Sequence, residues 1–95
     1  KTFSGEIFDA DVIGSMLTIR HWREGDSFQP IGRTSASKLK KLFINAKISN
    51  SDKRSAALGV TMGGDIFWVE GLRIGDLAKV RHNTQRFLLW KWSKI

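Results

Sequence analysis

Ala57-Leu58-Gly59-Val60-Thr61-Met62, then Gly63-Gly64-Asp65, then Ile66-Phe67-Trp68-Val69 are two apolar, β-prone runs joined by a glycine-rich turn, and they predict a β-hairpin. A hairpin is antiparallel, and no repeated strand-helix-strand rhythm elsewhere asks for a parallel sheet. Toward the C-terminus, Gly71 and Gly75 bracket Leu72-Arg73-Ile74, a polar stretch fills 75–85, and Arg86 to Trp92 reads as a closing strand. In that strand Phe87, Leu89 and Lys91 alternate with Leu88, Trp90 and Trp92, the two-residue period of a strand with unlike faces.

Ahead of the hairpin, Ser51 precedes Asp52, Lys53 and Arg54, which predicts a short helix over about 51–56. The main helix is expected over about 36–46, capped by Ser35 or Ser37, because Leu39, Leu42, Phe43 and Ala46 recur at the spacing of one helical face. Lys38, Lys41 and Asn45 share another face, flanked by Lys40 and Lys47. Residues 24–37, with Gly25, Pro30 and Gly32, read as a loop that tucks Phe28 and Ile31 inward. Leu17 to Arg23 alternates as a half-buried strand, and a shorter strand is expected around 3–8. The expected fold is therefore a single α+β domain over 1–95, a small, mostly antiparallel, β-sandwich-like body with helices in the middle of the chain.

Composition narrows the function. The chain has 95 residues, 41% hydrophobic and 26% charged, which suits one packed core and not wholesale disorder. With no cysteine, thiolate metal sites, disulfides and cysteine nucleophiles are excluded. No apolar run approaches the roughly 20 residues of a bilayer-crossing helix. The chain opens on Lys1, and KTFSGEIF lacks the apolar core of a secretory signal, so the sequence reads as a piece of a larger polypeptide. Neither a phosphate-loop spacing nor GxGxxG occurs, His21 and His82 are the only histidines, and no GxSxG ties a serine to a histidine. Asp9 and Asp11 would share one side of an extended strand and resemble an acid/base pair, but unreactive carboxylates are far commoner. No catalytic or metal-binding set is expected in these residues.

Charge is the positive signal. Sixteen Lys and Arg against nine acids leave a formal +7, an excess suited to a polyanionic partner. Residues 1–19 are mildly acidic, and most of the excess lies in 20–54. A lysine-rich helix is by itself an ordinary solvated face. Here Arg20 and Arg23 at a strand end, Lys38, Lys40, Lys41 and Lys47 on the helix, and Arg54 beyond it lie within one stretch of chain. Trp22 and Trp68 are assigned to the core and not to base stacking.

The run Arg20-x-x-Arg23-x-Gly25-Asp26-x-Phe28-x-Pro30-x-Gly32, followed by Lys38-Leu39-Lys40-x-x-Phe43-x-x-Ala46-Lys47-Ile48, resembles the C-terminal domain of bacterial tRNA(Ile)-lysidine synthases. Arg54 and Ile66-Phe67-Trp68-Val69-x-Gly71-x-Arg73-Ile74 continue the resemblance in the same order, over roughly 17–75. It implies a sandwich-like α+β domain similar to one in the phenylalanyl-tRNA synthetase β subunit. It also implies a tRNA-holding role at the acceptor-stem region of an isoleucine tRNA. In the family, the parent ligase uses ATP and lysine to convert the wobble cytidine to lysidine in an N-terminal catalytic domain, so no cofactor is expected here. The expected partners are that tRNA and the catalytic domain of the same chain, in the bacterial cytoplasm and away from membranes, with a homodimer of the parent left open. Carried to matching positions, the resemblance points to Arg20, Arg23, Lys38, Lys40, Lys47, Arg54 and Arg73 as RNA contacts, and Lys41 joins them on charge alone. Asn45 and Ser49 stand where the family often has Asp and Pro, and a family proline after Arg54 is absent. A competing reading makes the domain an interaction or dimerisation module with Phe67, Trp68, Trp90 and Trp92 as its interface and a merely solubilising basic face.

Overall fold

The computed structural model of the chain describes residues 4–93. In chain order the elements are β1 (Ser4–Asp9), α1 (Ala10–Ile13), β2 (Thr18–His21), β3 (Ser27–Phe28), β4 (Ser37–Lys38), α2 (Leu39–Asn45), α3 (Asn50–Ser55), β5 (Ala57–Val60), β6 (Ile66–Val69) and β7 (Phe87–Trp92). The expected hairpin is β5–β6, antiparallel, with Leu58 opposite Val69, and β2 adds to the other side of β5. β1 and β7 form a separate antiparallel ribbon with Ile7 opposite Leu89, and β3 and β4 make a third short pair. The fold is thus α+β with antiparallel pairing throughout the described strands, as the sequence predicts. Residue 3, included in the expected first strand, lies outside the described residues.

β5 stops at Val60, two residues short of expectation, because Thr61 turns the chain. Thr61 N donates to the Asp65 carbonyl at 2.8 Å, Gly64 N donates to the Thr61 carbonyl at 3.0 Å, and Asp65 N donates to Thr61 Oγ1 at 3.1 Å. The Thr61 hydroxyl is thereby satisfied although the residue is buried.

The helices differ from expectation at their ends. Neither Ser35 nor Ser37 caps α2, since Ser37 and Lys38 pair with Phe28 and Ser27, which turns part of the expected loop into strand. The first helical amide, Leu39 N, instead donates to the Asp26 carbonyl at 2.8 Å. At the other end Ala46 is exposed at the C-cap and does not extend the apolar stripe. α3 is capped by Ser49, not Ser51: the Ser49 hydroxyl accepts from Asp52 N at 3.1 Å. α1 was not expected. Asp9 caps it by accepting from the amides of Asp11 and Val12, and Asp9 also accepts from the Thr84 hydroxyl, so Asp9 and Asp11 do not form an extended carboxylate pair.

Two apolar clusters hold these elements. The first joins Phe28, Leu39, Leu42, Phe43, Ala56, Leu58 and Val69, with Trp22, Ile48, Ile66 and Leu72 against it. The second joins Phe8, Ile13, Phe67, Trp68 and Ala78, with Leu88, Trp90 and Trp92 among the residues packed on it. Phe67 meets Phe8 and Trp90 edge-on at 5.0 and 5.2 Å, and Trp68 meets Trp90 and Trp92 at 5.3 and 5.0 Å. The four aromatics of the competing interface reading are therefore core: Phe67 and Trp68 are buried, and Trp90 and Trp92 pack onto them.

Candidate nucleic-acid interface

The basic segments are all carried by the first cluster. Trp22 precedes Arg23, Leu39 and Leu42 sit among Lys38, Lys40 and Lys41, Ile48 follows Lys47, Ala56 closes the helix bearing Arg54, and Leu72 precedes Arg73. Burying one side of each segment in a common core anchors charges spread over fifty residues around one cluster.

The turn at 22–26 is built by Asp26. Its two carboxylate oxygens accept from the two terminal nitrogens of Arg20, both at 2.9 Å, and Oδ2 also accepts from Arg23 N at 2.8 Å. Arg20 donates further to the His21 carbonyl at 3.0 Å. The side chains of the pair are only 18% and 13% exposed. Hydrogen bonding from Arg20, helped by the Arg23 amide and opposed by burial, holds the Asp26 carboxyl below its ordinary range, and the same bond holds the Arg20 guanidinium above its own. This turn lies against the start of α2: Asp26 O receives Leu39 N, Lys38 Nζ donates to the Gly25 carbonyl at 3.5 Å, and Lys40 Nζ lies 3.9 Å from Glu24.

α2 ends in a Schellman turn. Ile48 N donates to the Phe43 carbonyl and Lys47 N to the Ile44 carbonyl, each at 3.0 Å, with Lys47 left-handed at φ 59°. That position usually holds glycine, so a lysine there is held against its own preference. Ile48 then turns inward toward Gly71, whose Cβ position lies 3.4 Å from the Ile48 side chain, and the 71–73 loop bearing Arg73 is drawn to the same corner. On α3, Lys53 sits 4.7 Å from the centre of the Trp22 ring.

The sequence-predicted residues separate on this geometry. Arg23, Lys38, Lys40, Lys41, Lys47, Arg54 and Arg73 are exposed. Among the described residues, no carboxylate lies within ion-pairing distance of these cations except Glu24 beside Lys40, and that contact is long and solvated. Arg20 is the exception and leaves the proposed surface, since its guanidinium is committed to Asp26 and positions Arg23 and the turn. Lys53 was missed, because its contact with Trp22 joins residues thirty-one apart and has no local signature. Other cations have carboxylate neighbours: Lys79 and Arg81 share Asp76, and Arg86 lies 3.5 Å from Asp11, while Arg33 and Lys91 are exposed without an ion pair among the described residues. Asp76 is likewise held below its ordinary range, first by Lys79 and then by the Gly32 amide.

The molecule is thus a small α+β domain whose segments packed on one core cluster carry exposed cations. The chain belongs to the family of TilS substrate C-terminal domains, whose pattern it matches over residues 17–90. It is 40% identical over 81 residues to the tRNA(Ile)-lysidine synthase of Clostridium acetobutylicum, covering 85% of this chain and 17% of that one. It is 34% identical over 89 residues to the enzyme of the same name from Caldanaerobacter subterraneus subsp. tengcongensis, covering 94% and 19%. The chain thus spans under one fifth of these relatives' length. Among solved structures, a TilS C-terminal domain superposes with a TM-score of 0.76 at 27% identity, covering 92% of this chain and 68% of that one. An N-terminal fragment of the phenylalanyl-tRNA synthetase β subunit from Pyrococcus horikoshii shares the fold, with a TM-score of 0.73 at 15% identity over 94% of this chain and 27% of that one.

Proposed function

We propose that this domain holds an isoleucine tRNA, at its acceptor-stem region, for the ATP-dependent ligase that attaches lysine to the wobble cytidine in the bacterial cytoplasm. ATP and lysine would be used by the rest of that enzyme, and this domain would need no cofactor. The observation that carries the reading is the set of exposed cations on segments packed against one core cluster, Arg23, Lys38, Lys41, Lys47, Arg54 and Arg73 without an ion pair among the described residues and Lys40 in one long contact with Glu24, in a member of this family. A-form RNA hides base edges in its deep groove, so such a surface reads phosphates, 2′-hydroxyls and shape. Arginine grips phosphate in a planar fork and lysine supplies point charge. The tether to the catalytic part supplies effective concentration, so a weak site suffices.

Titrating the domain with an acceptor-stem hairpin of the isoleucine tRNA across a salt series tests this. Neutralising about five phosphates gives a slope of log affinity against log salt of roughly −4 to −5, and Lys40→Gln reduces its magnitude by about 0.9. A scrambled hairpin of equal length separates general grip from selection. Absence of binding at low salt refutes the proposal.

A further inference from the structure

The β1–β7 ribbon has a second face that the core does not use. Along β7, Leu88, Trp90 and Trp92 turn inward while Phe87, Leu89 and Lys91 turn out. Antiparallel register puts Ile7 opposite Leu89 and Asp9 opposite Phe87, so Ile7, Leu89 and Phe87 share the outer face. They are 51%, 60% and 60% exposed. The isolated bridge between Phe8 and Lys79 brings Val80, 43% exposed, to the same edge. A solvated outer sheet face ordinarily carries polar residues, and clustered large apolar side chains there mark an interaction surface.

We infer that this face is where the domain rests against the remainder of its own polypeptide, the portion that the related synthases carry beyond these residues. Relatives of this chain devote less than one fifth of their length to the matching region, and the family is described as a C-terminal domain, so most of their chain precedes it. In a relative built this way the preceding polypeptide would enter at the strand matching β1, which here supplies Ile7. A tethered neighbour needs only a modest apolar contact, because the linkage already supplies effective concentration. A second copy of this chain, lacking that advantage, would need an interface of about 1,600 Å², well beyond four side chains. RNA suits the face poorly, since its exposed side chains Ile7, Leu89 and Phe87 are apolar and offer phosphate no donor, with Lys91 the one cation on the outward side of β7. The inference rests on family membership and stands apart from the RNA reading.

Hydroxyl-radical footprinting of the full-length polypeptide, free of RNA, against the 95-residue chain tests it without any mutation. Phe87, Leu89 and Ile7 are expected to label markedly more slowly in the full-length protein, since the covered centre of an interface excludes solvent. Ile44 and Met62, exposed elsewhere, serve as references for unchanged labelling. Equal rates in the two proteins overturn the inference. So does protection that grows with concentration of the 95-residue chain, which would assign the face to a second copy. Protection appearing only when tRNA is added would assign it to RNA and equally overturn it.

Discussion

Replacing Asp26 by Asn removes one charge and leaves the side chain's shape, so it isolates what the Arg20–Asp26 pair contributes. In the native turn the carboxylate accepts two bonds from Arg20 at 2.9 Å and one from Arg23 N at 2.8 Å. Asparagine can still accept with its oxygen, but its amide NH₂ then faces a guanidinium nitrogen, donor against donor. Exposed ion pairs contribute at most about 1 kcal/mol, whereas removing one partner of a buried pair costs about 3–5 kcal/mol. With side chains 18% and 13% exposed, this pair lies between those limits. The expected loss is about 2 kcal/mol, or roughly 8–16 °C in Tm for a domain of this size.

Urea unfolding of wild type and Asp26→Asn at pH 7, then at decreasing pH, measures it. Because the native carboxyl is held below its ordinary value, its contribution is complete above the unfolded value of about 3.9 and is lost as pH falls through the lower native one. The two proteins should therefore differ fully at neutral pH and converge in strong acid. Asp76, also held low, leaves some acid sensitivity in the variant. A loss below about 0.5 kcal/mol at pH 7 would put the pair in the class of solvated surface contacts and refute the assignment of Arg20 to the turn.

Gly59→Ala would place a Cβ 2.6 Å from Phe67 Cζ inside the core, and overpacking of that kind costs about 1–3 kcal/mol in a denaturant titration. Lys47→Gly should raise stability by about 0.5–1 kcal/mol by relieving the left-handed backbone. In the salt-series titration the same variant should weaken RNA binding, so stability and affinity move in opposite directions. Ser49→Ala should lower stability by about 1 kcal/mol, while Ser51→Ala should stay within about 0.5 kcal/mol of wild type, as thermal melts of the two will show.

Legibility followed the range over which each feature is determined. The β5–β6 hairpin, the closing strand and the apolar positions Leu39, Leu42 and Phe43 are set by local period and turn chemistry, and all are present in the fold. The start of α2 was misplaced because Ser37 pairs with Phe28, nine residues away, and that pairing overrides a local capping preference. α1 was overlooked because four residues are too few to show a period, and only the Asp9 cap announces it. At the candidate interface, residue type was enough to nominate the cations. It could not reveal that Asp26 claims Arg20, nor that Lys53 crosses to Trp22, since both depend on how the turn at 22–26 folds back.

One strand ties the two proposed surfaces together. β6 gives Val69 to the cluster beneath the cations and Phe67 and Trp68 to the cluster beneath the ribbon. Phe67 is hemmed in further by two glycines: a Cβ on Gly59 would strike its ring, and a Cβ on Gly75 would come within 2.9 Å of its carbonyl oxygen while Gly75 N donates to that same oxygen. β6 is thus closely packed around Phe67, and both clusters bear on the same strand. A ribbon docked on the rest of the polypeptide therefore fixes the direction in which Lys40, Lys41, Lys47 and Arg54 point. Substitutions at Phe87 or Leu89 should then leave the isolated domain's RNA affinity intact and lower that of the full-length protein, a split that loss of a phosphate contact would not produce.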